Sequence, residues 1–256
     1  MEQDPKKRFS NRAAYYARYR PRYPAAILDF MKRKLGLTAV SLIADIGSGT
    51  GILSELLLSN GNTVYGVEPN DEMRTTAEKE LAAFLNFKSV RGTAEDTTLL
   101  AKSIDFVAAG QAFHWFNADK AKVEFSRILR HSGWVVLIWN IRRDSTPFNQ
   151  SYEQMVSKYA ALPYSRHDPR DKELGGNLKS FLGDYLHETF RNSQALDYEG
   201  LLGRVQSSSY ISLLEDSKYE LMVSELRNLF NEYQERGFVQ IEYDSELYCG
   251  QLNLED

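Results

Sequence analysis

Residues 43–57 read IADIGSGTGILSELL, with Gly47, Gly49 and Gly51 at every second position and Asp45 two residues ahead of the first. An apolar run, a glycine turn and a leucine-rich segment make a strand, a tight turn and a helix. Glycines let the backbone approach a ligand because no Cβ stands in the way. Such turns ordinarily offer backbone N–H groups to phosphate, yet a carboxylate at the mouth repels a pyrophosphate at close range. The dinucleotide fingerprint would also need a third glycine at position 52, which is Ile52. The next apolar run, TVYGVE, ends in Glu68, where a carboxylate accepts hydrogen bonds from both hydroxyls of a ribose. Asp45 at the mouth makes sense if the ligand is a cation-bearing nucleoside; one with an amino group and a positive sulfur would be attracted where pyrophosphate is repelled.

A second chemical cluster follows the fourth apolar run, in QAFHWF. His114 titrates near neutrality and could act as a general base; His114 and Trp115 could equally pack and brace their loop. His131, His167 and His187 have no metal-ligand spacing with an acid or with Cys249, the single cysteine, so no metal is expected. Near the start, Tyr15, Tyr16, Tyr19 and Tyr23 interleave with Arg12, Arg18, Arg20 and Arg22. That pattern suits a base-stacking arm for RNA or a lid whose aromatic rings exclude water from a cation. Arg142-Arg143, and Arg204 with Ser207–Tyr210, read either as acceptor ligands or as solvated pairs.

The elements that must hold these groups alternate. PAAILDFMKRKLG is framed as a helix by Pro24 and Gly36. SLIADIG, TVYGVE, FKSVRG, IDFVAAG and WVVLIWN read as strands, with helices over GILSELLLSNG, NDEMRTTAEKELAAF and NADKAKVEFSRILRHSG between them. Such alternation implies a parallel sheet covered on both faces. From residue 141 to 236 the pattern is mainly helical, and FVQIEYDSELYCGQL reads as a hairpin turning at Asp244-Ser245.

The segments ADIGSGTG, GVEPNDEM, GTAEDT and DFVAAGQAFHWF, in this order and spacing, resemble the successive motifs of class I S-adenosylmethionine-dependent methyltransferases. Within that superfamily, RFSNRAAYYARYRPRYP and QAFHWF are similar to type 11 small-molecule methyltransferases typified by trans-aconitate methyltransferase. The resemblance is close over residues 9–140 and loose elsewhere. It implies S-adenosyl-L-methionine as cofactor and a small-molecule methyl acceptor. Gly47, Ser48 and Gly49 would contact the methionine part, with Asp45 behind its amino group. Glu68 would take the ribose, with Pro69, Asn70 and Met73 beside ribose and adenine, and Ala94 and Glu95 at the adenine edge. Gln111 would face the methionine end or the methyl group, and Tyr16, Tyr19 and Arg20 belong to a segment closing over the cofactor. After Glu95 the chain departs from the family's Glu-x-Leu-Pro pattern and reads EDTTLLAKSID.

The expected fold is α/β: a doubly wound, mostly parallel, Rossmann-like sheet with a C-terminal antiparallel hairpin and a mainly helical insertion. Residues 1–36 form the lid, 37–140 and 237–256 the core, and 141–236 the insertion shaping the substrate pocket. Trp115, Arg142, Arg204 and Tyr210 are the acceptor-side candidates. A carboxylate acceptor needs no base; a hydroxyl, amine or carbon acceptor would turn to His114 first. The chain carries a net charge of −4, but residues 1–34 hold ten Lys and Arg against three Asp and Glu. The acidic total disfavours nucleic acid; the alternatives are an RNA or protein methyltransferase guided by the basic N-terminal arm, and a non-catalytic cofactor-binding protein. No apolar run reaches 18 residues, no secretory signal opens the chain, and the cysteine usage suits a reducing cytoplasm.

Overall fold

The computed structural model describes residues 13–160, 178–208 and 216–252. The alternating segments form β1 (Leu42–Ile46), α3 (Ile52–Ser59), β2 (Thr63–Val67), α4 (Asp71–Glu80), β3 (Phe87–Val90), β4 (Ile104–Gly110), α5 (Ala118–Ile128) and β5 (Leu129–Arg142), preceded by α1 (Ala13–Tyr19) and α2 (Ala26–Leu35). Later come α6 (Pro147–Tyr159), β6 (Leu186–Leu196), α7 (Tyr198–Gln206), α8 (Asp216–Tyr233) and β7 (Val239–Gly250). Side-chain caps fix several helix starts: Asn70 accepts from the Met73 N–H, Asn117 from Lys120, Thr146 from Asn149 and Asp197 from Gly200.

The seven strands lie in the order β3-β2-β1-β4-β5-β7-β6. Pairs among β1–β5 are parallel, and β7 runs antiparallel to both β5 and β6. The doubly wound, mostly parallel sheet expected from the sequence is therefore present. One face buries Ile27 and Met31 of α2 and Leu53 and Leu57 of α3; the other buries Phe125 and Ile128 of α5 against Leu137 and Trp139. Because β1 and β4 are neighbours at the point where strand order reverses, their carboxyl ends open a crevice.

Two expectations need correction. Asp244-Ser245 is not a turn: β7 is one continuous strand, with Ser245 opposite Asn140 and Asp244 opposite Arg191. Ser245 is accommodated in the core by donating its hydroxyl to Asn140 Oδ1 at 2.5 Å. Asp244 pairs with Arg191 at 2.5 Å and Arg143 at 3.7 Å. The antiparallel partner of β7 is β6, an 11-residue strand inside the segment read as mainly helical. A third apolar cluster joins Tyr152 and Val156 of α6, Leu201 and Val205 of α7, Met222 and Leu226 of α8 and the start of β7. It forms a cap beyond the carboxyl end of the sheet.

Candidate cofactor and acceptor site

The crevice holds two adjoining chambers. The larger, about 210 Å³, is walled by Glu68, Pro69, Asn70 and Met73 from the end of β2 and α4, Thr93–Glu95 from the loop after β3, and Trp115 and Phe116 beyond β4. The smaller, about 60 Å³, is walled by Asp45, Ser48 and Thr50 of the glycine turn, Arg20, Pro21 and Tyr23 of the N-terminal segment, Asn140 and Arg204. Tyr16, Gly47, Gly49, Gly110 and Gln111 line both, so the chambers share a wall.

The turn is fastened to β2. The N–H groups of Gly47 and Ser48 donate to Val67 O, at 2.9 and 3.2 Å. Gly47 and Gly49 both hold left-handed backbones, φ +66° and +56°, which favour glycine. Glu68 accepts the Gly49 N–H at 3.0 Å and the Asn70 N–H at 2.8 Å. Burial raises its carboxyl above the usual range, and those two N–H groups work the other way.

Asp45 is fully buried. Ser54 Oγ donates to its Oδ2 at 2.6 Å, while Oδ1 has no partner among the described residues. Burial, reinforced by Glu68, pushes its carboxyl up to about 7, against the Ser54 hydrogen bond. Thr50 Oγ1, buried in the same chamber wall, is likewise unpartnered among the described residues. Such groups are costly unless something supplies the missing bonds.

Gln111 has a left-handed backbone, φ +56°, uncommon for a residue with a Cβ. Its N–H donates to Ile138 O at 2.8 Å and its Nε2 to Asn140 O at 3.0 Å. The unusual loop after Glu95 is held from α5. Glu124 accepts the Thr97 N–H at 2.9 Å and its hydroxyl at 2.5 Å, and Arg127 joins Glu124 to Leu99 O. Glu95 itself accepts the Asn117 N–H at 2.8 Å, which ties the loop to the start of α5.

Of the residues expected at the cofactor, the structure brings Tyr16, Arg20, Asp45, Gly47, Ser48, Gly49, Glu68, Pro69, Asn70, Met73, Ala94, Glu95 and Gln111 to these chambers. Tyr19 stands apart. Its ring lies against α7, where a Cβ at Gly203 would fall 2.3 Å from it. Gly203→Ala is expected to push α1 outward, weakening binding of any ligand under Tyr16 and costing about 1–3 kcal/mol of stability. Ligand titration together with denaturant melts checks both.

On the acceptor side, Trp115 lines the larger chamber and Arg204 the smaller. Arg142 lines neither; its guanidinium pairs with Glu153 at 2.8 Å and lies over the Tyr152 ring. His114 lines neither and packs on Trp115 at 4.9 Å between ring centroids. Tyr210 and Arg12 lie outside the described residues. The sequence reading did not single out Thr50 or Asn140 as site residues. Asn140 could have been found, since it ends an apolar strand at the edge where α/β sheets take ligands. Thr50 carried no such signal.

Residues 44–137 match the family model of the methyltransferase domain. An uncharacterized methyltransferase of Schizosaccharomyces pombe is 29% identical, with 85% of each chain covered. A solved structure described as a type II methyltransferase of Anaeromyxobacter dehalogenans superposes with a TM-score of 0.68 at 18% identity, over 91% of this chain and 98% of that one. The phosphoethanolamine N-methyltransferase 2 of Haemonchus contortus, solved with phosphomonomethylethanolamine and S-adenosylhomocysteine, superposes at 0.53 with 16% identity, over 93% of this chain and 57% of that one.

Proposed function

We propose that the chain is a class I S-adenosylmethionine-dependent methyltransferase that methylates a small molecule held through a carboxylate. The chambers fit the cofactor. Glu68 presents a carboxylate to ribose hydroxyls, and Met73, Pro69, Ala94 and Phe116 make an apolar slot for adenine. The unpartnered Oδ1 of Asp45 suits an ammonium group. When bound, the cofactor supplies a methyl group on a cationic sulfur that departs as a neutral thioether.

The protein's task is then alignment and exclusion of water. Tyr16 and Arg20, with the guanidinium 4.7 Å from the Tyr16 ring centre, roof the chambers. Arg20 Nη2 is anchored on Ser207 O at 2.8 Å. Gln111 braces the shared wall from a left-handed backbone.

The observation that carries the acceptor reading is Arg204, a buried guanidinium in the wall of the smaller chamber that also reaches Ser208 Oγ at 3.3 Å. Guanidinium groups hold carboxylates through paired, charge-assisted bonds. A carboxylate oxygen is nucleophilic without a base, which agrees with His114 standing outside both chambers. Among the described residues of the basic arm, Arg18 pairs with Glu199 and Arg22 with Glu55 on this chain's own surface. That pairing speaks against a nucleic-acid partner.

The test is transfer of labelled methyl to a panel of small carboxylic acids, amines, alcohols and RNA. Label should appear in base-labile esters of the acids; label confined to amines or RNA would overturn the reading. Arg204→Gln is expected to raise KM for the acid about 10–100-fold, as loss of a charge-assisted pair does. Cofactor affinity, measured by calorimetry, should move far less.

A further inference from the structure

We propose that Asn192 and Gln194, two amides on β6, are positioning residues that latch the N-terminal segment over the chambers. The segment's inner face supplies Tyr16, Arg20, Pro21 and Tyr23 to the site. Its backbone is gripped from β6: Gln194 Nε2 donates to Tyr19 O at 2.9 Å, and Asn192 Nδ2 to Arg22 O at 2.7 Å. Tyr19 is the last residue of α1, where helix carbonyls lack intrahelical donors. Gln194 therefore satisfies from another element a carbonyl that the helix leaves open.

Each amide is itself held by the neighbouring strands. Tyr243 OH of β7 donates to Gln194 Oε1 at 3.3 Å. Asn192 Nδ2 also reaches Asn140 Oδ1 at 3.2 Å, the oxygen that accepts the Ser245 hydroxyl. Asn140 lines the smaller chamber, its Nδ2 extends toward Arg22 O at 3.4 Å, and its own carbonyl receives Gln111. A continuous chain of amides thus runs from the shared wall of the chambers, through β5 and β6, to the carbonyls of the covering segment. Linked hydrogen bonds of this kind favour one arrangement of the groups they join. Asn192 and Gln194 touch neither chamber, so they act only through what they hold. The late strand that completes the sheet thereby acquires a role in the reaction: it sets how tightly ligand is enclosed.

This inference rests on the chambers being the cofactor site, and the experiment separates the two. Asn192→Asp and Gln194→Glu keep size and shape but replace the donating NH₂ with an oxygen facing a carbonyl oxygen. The double variant should release S-adenosylhomocysteine about tenfold faster in a competition chase, as expected for two lost hydrogen bonds. Backbone hydrogen exchange should accelerate over residues 13–23 while β1, β4 and β5 stay as protected as in the wild type. Ser193→Ala, between the two on the same strand, should change neither. If the double variant loses protection throughout, the single Gln194→Glu variant takes its place in both measurements. Wild-type protein that fails to bind S-adenosylhomocysteine would remove the cofactor reading. Wild-type binding with an unchanged release rate and unchanged exchange over 13–23 in the variants would overturn the latch alone.

Discussion

Gly49→Asp should still fold, at a cost of about 1–2 kcal/mol for its left-handed backbone, yet lose all heat stabilisation by S-adenosylhomocysteine. A Cβ at Gly49 meets nothing within 4 Å, and Gly49 lines both chambers. Its φ of +56° is a conformation that aspartate tolerates better than most residues. The new carboxylate would stand beside Glu68, whose Oε2 accepts the Gly49 N–H, and would occupy ligand space. Affinity should fall at least about 100-fold, close to 3 kcal/mol. Gly47→Ala should behave differently. There a Cβ would fall 2.8 Å from the Ala112 Cβ, at φ +66°, so the ligand-free protein itself should melt lower still. The contrast separates a glycine needed for ligand space from one needed for packing. Gly49→Asp protein stabilised by S-adenosylhomocysteine as strongly as the wild type would show that the chambers are not the cofactor site.

The contrast also shows what the sequence could and could not convey. Asp45, the glycines and Glu68 were legible because strand ends and a turn place them within one βαβ unit, where local pattern decides geometry. The five parallel strands were legible for the same reason: each is a short apolar run between helix signals. β6 was not. LHETFRNSQAL is an edge strand whose more buried alternate positions include the amides Asn192 and Gln194, so its hydropathy lacks the apolar alternation that marks a half-buried strand. Asp244-Ser245 reads locally as a turn; it becomes strand only because Asn140, Arg143 and Arg191, distant in the chain, supply its partners. Arg142 and Arg204 were equivalent on paper. The fold turns one toward Glu153 and the other into a chamber, a choice made by which helix faces which. Tyr16 and Tyr19 divide in the same way, one lining the chambers and one against Gly203.

Asp45 should make cofactor binding proton-linked. Burial, with Glu68 nearby, raises its carboxyl from 3.8 to about 7 in the ligand-free protein. The folded value lies above the unfolded one, so between those pH values the folded chain keeps a proton that the unfolded chain has lost. Stability of the ligand-free protein should therefore fall as pH rises through that window and remain lower above it. Binding reverses the preference, because an ammonium group beside Oδ1 favours the ionised form. Below pH 7 the complex must expel the proton, and affinity for S-adenosylhomocysteine should climb toward about tenfold per pH unit before levelling off above pH 7. Asp45→Asn keeps the shape and an acceptor for Ser54 but cannot ionise. It should bind weakly with no slope, and the fall in ligand-free stability assigned to this group should vanish. Calorimetry in buffers of different ionisation heat counts the protons released. 5′-Methylthioadenosine, which has no ammonium group, should bind the wild type without this release. Equal pH slopes in wild type and Asp45→Asn would show that the buried carboxylate does not face the ligand's charge, and the electrostatic argument for a cationic nucleoside at this turn would fail with it.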